Sequence, residues 1–152
     1  METTEKTVVT FHSSAFNISE PRDYFMNPCC FGDDVAKWLI ELLRGKGYQT
    51  AETPGQEDFG WFFTFAVSDI EHCFVIGHRP GDCKTEDSWI GWLERSRGFV
   101  ASALGGRKRD IQPDAVHAIH EILSNSPQIR NVRWHLQRDF DSGQVKTGTP
   151  NP

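Results

Sequence analysis

The stretch "EDFGWFFTFAVSDIEHCFVIGHR", Glu57 to Arg79, decides the fold. Phe59 to Val67 and Cys73 to His78 are dense in aromatic and β-branched side chains, and the short polar run "SDIE" separates them. That pattern predicts an antiparallel hairpin. With Asp69 and Ile70 as its loop, Phe65 faces Phe74, Phe63 faces Ile76 and Trp61 faces His78. Side chains alternate along a strand, so Phe59, Trp61, Phe63 and Phe65 share one sheet face with Phe74 and Ile76. Gly60, Phe62, Thr64 and Ala66 take the other. The aromatic face is the expected core.

Outward from the hairpin, the elements follow a simple order. Thr7 to Phe16 read as a first strand, and "NISEPRDYFMNPCCFG" is a connection broken by Pro21, Pro28 and Gly32. Val35, Trp38, Leu39, Leu42 and Leu43 then recur at helical spacing, after Asp33 and Asp34, which suit a helix N-terminus, and Gly45 and Gly47 end that helix. Tyr48 to Glu52 read as a brief strand before the Pro54-Gly55 turn. Beyond the loop "RPGDCKTED", Trp89, Ile90, Trp92 and Leu93 give another strand, and residues 95–110 fit a short helix or a long loop equally. Pro113 opens a second helix whose apolar stripe is Ala115, Val116, Ile119, Ile122 and Leu123. Asn131 to Arg138 alternate, with Val132, Trp134 and Leu136 on one side and Arg133, His135 and Gln137 on a solvated side.

Strands joined by short turns pair antiparallel, and two amphipathic helices need an apolar sheet face to cover. We therefore expect an α+β fold, a two-layer sandwich in which a mainly antiparallel sheet carries both helices on one face. A closed barrel with peripheral helices is the alternative. The 152 residues are enough for one domain, expected over residues 1–140, with a polar, disordered tail over 141–152.

Composition excludes several function classes. Five Trp and eleven Phe give an aromatic-rich core and argue against disorder. The net charge of −5 disfavours a general nucleic-acid binder that works by neutralising phosphates. The start, "METTEKTVVTFHSS", is polar where a signal peptide needs an apolar run, and no apolar run reaches the roughly 20 residues of a membrane helix. A soluble, cytoplasmic protein is expected. Cys29, Cys30, Cys73 and Cys83 follow no disulfide or zinc spacing, so reduced thiols are expected.

The chemistry-bearing residues concentrate at one rim. In the expected register, Glu57 and Asp58 meet His78 and Arg79 at the same end of the sheet, beside Trp61. A His near carboxylates can serve as a general base, or the group can form a binding site. The plainer account is a solvated turn whose acids answer Arg79. The run "GGRKRD" offers Arg107, Lys108 and Arg109 as a second candidate, a patch for an anion or a protein partner, without the Walker or dinucleotide pattern. His72, Cys73, His78 and Cys83 are metal-ligand types in poor geometry for one tetrahedral site, and no metal or cofactor is expected. His117 and His120 stand three apart on the second helix and are accounted for as surface and boundary residues. Cys29 and Cys30 are read as structural.

Together, the Glu-Asp-aromatic-Gly-Trp run and the helix "DVAKWLIELLRGKGY" resemble small uncharacterised bacterial proteins, over about the middle third of the chain. That resemblance implies no activity. Acidic balance, abundant Trp and the lack of a complete catalytic set lead us to expect a non-enzymatic module that binds another protein, as an immunity or regulatory partner. The alternative is a small enzyme or ligand-binding protein using Glu57, Asp58, His78 and Arg79.

Overall fold

The computed structural model describes residues 6–58, 60–95, 111–143 and 148–152. Arg107, Lys108 and Arg109, like the rest of residues 96–110, lie outside the described residues. The fold is α+β with a mainly antiparallel sheet. Its elements are β1 (Lys6–His12), α1 (Asp33–Gly45), β2 (Gln49–Thr50), β3 (Gly55–Glu57), β4 (Gly60–Val67), β5 (Ile70–Arg79), β6 (Ser88–Arg95), α2 (Pro113–Asn125), β7 (Arg130–Leu136) and α3 (Gln137–Asp141).

The strands order as β2-β4-β5-β6-β1-β7, and β3 also pairs with β4. Because β5 occupies the other edge of β4, β2 and β3 share its outer edge as one interrupted strand. Gln49 and Thr50 pair with Ala66 and Phe65, and Gly55, Gln56 and Glu57 pair with Phe62, Trp61 and Gly60. The first strand of the chain is thus internal, held between β6 and β7.

The central hairpin forms with a register two residues from the expected one. Trp61 pairs with Ile76, Phe63 with Phe74 and Phe65 with His72. The cause is the turn: Ser68 and Asp69 are its two central residues, with φ of 51° and 63°. Two successive left-handed residues make the type I′ geometry whose twist matches the flanking strands. A shift of two preserves parity, so the aromatic set keeps its face. Trp61, Phe63, Phe65, Phe74, Ile76, Trp89, Leu93, Val9, Phe11 and Trp134 are all buried in one cluster with Val35, Leu39 and Leu43 of α1 and Ile119, Ile122 and Leu123 of α2.

Two contacts tie the helices to this cluster by more than apolar packing. Trp134 Nε1 donates to His120 Nδ1 on α2 at 3.0 Å. His72, fully buried, donates from Nδ1 to the Ile70 carbonyl at 3.1 Å and accepts at Nε2 from the Gln112 backbone N–H at the same distance. A backbone amide only donates, so this histidine is the neutral Nδ1–H tautomer, and it fixes the entry to α2.

The side of β7 expected to be solvated is not so. His135 is buried, because α3 turns back after Leu136 and lays Phe140 against it, with ring centroids 5.7 Å apart. Thr149 adds to this cover by exchanging two backbone hydrogen bonds with Trp134, at 2.7 and 2.9 Å, and by accepting from Lys6 Nζ at 2.5 Å.

Candidate functional site

The acid-aromatic junction is the tip of a tight β3–β4 hairpin. Gln56 and Trp61 are cross-strand partners and both are buried, whereas Glu57 and Asp58 project into solvent. Gly60 is required next to them, since a Cβ there would lie 2.4 Å from the Ile76 carbonyl oxygen.

The buried pair holds the long connection of residues 13–32 in place. Gln56 Oε1 accepts from the backbone N–H groups of Met26 and Asn27 at 2.6 and 3.3 Å, and Gln56 Nε2 donates to the Asn27 carbonyl at 3.0 Å. Trp61 Nε1 donates to the Cys30 carbonyl at 2.9 Å, while its ring packs on Phe25 at 4.9 Å. The acids that open α1 hold the same segment from its other side. Asp34 accepts from the Asn17 amide at 2.8 Å, and Asp33 accepts from the Tyr24 hydroxyl. Lys37 stands 3.4 Å from the Asp33 carboxylate and donates to the Tyr24 oxygen at 2.9 Å, a bond that raises its pKa. Gly32 precedes α1 with φ of 137°, and a Cβ there would meet the Ile76 carbonyl at 3.2 Å and the Trp61 ring at 3.3 Å.

A segment clamped in this way displays two large side chains. Met26 is 76% exposed and Tyr24 55%. Met26 stands near the Glu57–Asp58 tip, since the Gln56 side chain that bonds its amide belongs to the residue before Glu57, whereas Tyr24 lies against Asp33 and Lys37 at the start of α1. Burial, the larger influence, raises the thiol pKa of the half-buried Cys30. None of the four cysteines forms a disulfide.

The expected rim does not assemble as a single cluster. Glu57 and Asp58 make no ion pair with His78 or Arg79 among the described residues. His78 Nε2 instead lies 3.4 Å from Asp87 Oδ2 without a hydrogen bond, and its ring packs at a tilt against Trp89 with centroids 5.1 Å apart. Arg79 leaves β5 on the opposite face from His78, and its guanidinium lies over Phe140, 5.9 Å from the ring centroid. Asp82 serves its own loop, accepting from the amides of Lys84 and Thr85 at 2.7 and 2.9 Å, and these bonds lower its pKa.

The remaining histidines other than His117 have structural partners. Burial, the largest cause, lowers the pKa of His72, His120 and His135 alike. His117 is exposed on α2. Among the described residues, no three His, Cys, Asp or Glu side chains gather as metal ligands would, and no helix is long and apolar enough to cross a membrane.

Arg79 belongs to a different site. On the second sheet face, where β5 ends and β6 begins, a cavity of about 610 Å³ is lined by Thr10, His12, Arg79, Glu86, Ser88 and Arg133 among others. Nothing in the sequence groups these residues, which come from four strands and a loop.

No family model, curated protein or solved structure matches the chain.

Proposed function

We propose that the protein is a non-enzymatic binding module, an immunity or regulatory partner, that docks a basic protein surface with Tyr24, Met26 and the Glu57–Asp58 tip. The observation that carries this reading is a 76%-exposed methionine on a segment fixed by three hydrogen bonds from one buried glutamine. Such a segment loses little further conformational freedom on docking, and that loss is a main cost of association. Met and aromatic side chains are common interface anchors. Two exposed carboxylates at the tip of the hairpin that holds Met26, on a chain of net charge −5, favour a cationic partner and speed its approach.

The test compares tagged wild-type protein with Met26→Asp and with the Glu57→Gln/Asp58→Asn double variant. A stoichiometric partner recovered with the wild type is purified and titrated against all three. Met26→Asp is expected to weaken binding at least ten-fold without lowering the melting temperature, and the double variant to slow association and flatten its salt dependence. Recovery of no partner under several conditions, or equal affinity for the three proteins, refutes the reading.

A second reading, a small-molecule-binding protein or enzyme, draws on one observation. It is the cavity around Arg79 on the other sheet face, of which Glu57, Asp58 and His78 are not part.

A further inference from the structure

The cavity on the second sheet face contains two cationic side chains for which the described residues supply no acid. Arg133 donates from one guanidinium nitrogen to the neighbouring Val132 carbonyl at 3.2 Å, and Arg79 rests over the Phe140 ring. The one carboxylate in the wall among the described residues, Glu86, is paired with Arg130 at 2.6 Å, while His12 Nδ1 beside it donates to the Asp87 carbonyl at 2.8 Å. The Arg130 hydrogen bond, the largest cause, lowers the pKa of Glu86.

The sheet order sets the geometry. Arg79 pairs with Ser88 on β6, and Arg133 pairs with Thr10 on β1, so the two arginines stand on β5 and β7 with β6 and β1 between them. Three strand spacings put their backbones roughly 15 Å apart. Between them lie Ser88 and Thr10, whose hydroxyl already bonds His135 Nε2 at 2.9 Å. The register shift in β7 between the partners of Thr10 and His12 falls beside Arg133, and Asn131 in it has φ of 54°. Such bulges re-aim side chains at the ends of sheets.

We infer that this cavity binds a small dicarboxylate, one carboxylate on Arg79 and the other on Arg133. A guanidinium matches a carboxylate with two parallel N–H donors and one balancing charge. One arginine at each end thus suits a ligand with a single negative charge at each end. A phosphate, with nearly two charges at one point, would meet a single guanidinium and leave the other without a counter-charge.

The test is calorimetric titration of the full chain with succinate, glutarate and adipate, alongside propionate and inorganic phosphate. At least one dicarboxylate is expected to saturate one site and to bind ten-fold or more tightly than propionate or phosphate. Arg79→Gln and Arg133→Gln should each weaken that ligand at least ten-fold, while Arg22→Gln, a charge change away from the cavity, should leave it unchanged. Should Arg133→Gln fail to fold, Arg133→Lys, which keeps the charge but loses the fork, is expected to weaken binding in its place. No saturable binding, equal binding of propionate, tighter binding of phosphate, or affinity indifferent to both arginines would overturn the inference.

Discussion

Replacing Gln56 with Ala tests whether one side chain orders the connection between β1 and α1. Three hydrogen bonds are lost, two accepted from the amides of Met26 and Asn27 and one donated to the Asn27 carbonyl. At about 1 kcal/mol net for each, the segment's opening free energy falls by at most about 3 kcal/mol. The cost to global stability is smaller, because Met26 is exposed and water can reach the released groups. About 1 to 2 kcal/mol is expected there, a fall in melting temperature of roughly 3 to 6 °C for a chain of this size. Hydrogen exchange separates the two effects. The amides of Phe25 and Cys30, bonded to the carbonyls of Arg22 and Asn27, should exchange up to about a hundred-fold faster, since 1.4 kcal/mol is one decade. The Asn17 amide, held by Asp34, should change far less. Unchanged exchange at Phe25 and Cys30, with stability lost evenly across the molecule, would refute the claim that Gln56 is the clamp.

Two further outcomes are expected. Phe63→Ala should cost roughly 3 to 5 kcal/mol in chemical unfolding, because it removes a fully buried ring packed between Phe65 and Phe74 and leaves a cavity. Stability should also fall with acid: His72, His120 and His135 bind protons less readily folded than unfolded, so their contribution is complete above the unfolded value of about 6.5 and is lost as pH drops through their lowered folded values. A melting temperature that stays flat between pH 7.5 and 5.5 contradicts this.

The main elements were legible because each rests on a strong periodic signal. Phe59 to Val67 and the stripe of Ala115 to Leu123 announce a strand and a helix without help from the rest of the chain. The hairpin register was harder, since the Ser68–Asp69 turn has neither Gly nor Asn and its left-handed geometry leaves a faint trace. Parity nevertheless protected the face assignment. β3 was hidden because three residues after Pro54 are too few to alternate, and Pro-Gly reads first as a turn. The clamp left even less sign: Gln56 is one polar residue among several, and only its pairing with Trp61 reveals that it points inward. The Arg79–Arg133 cavity was beyond a linear reading. It depends on β1 lying between β6 and β7, a neighbourhood that only the sheet order creates.

That sheet order also leaves two edges, and each is blunted. The outer edge of β4 is covered by two short pieces, Gln49–Thr50 and Gly55–Glu57, with Pro54 in the interruption, so no long row of unpaired amides and carbonyls faces outward there. On the far side, Thr149 already occupies the backbone of Trp134, in the middle of β7. An incoming strand would find no extended template at either edge, which is how sheet proteins avoid fibrous self-assembly. Strand addition is therefore a poor route to polymers of this chain, for all its aromatic residues.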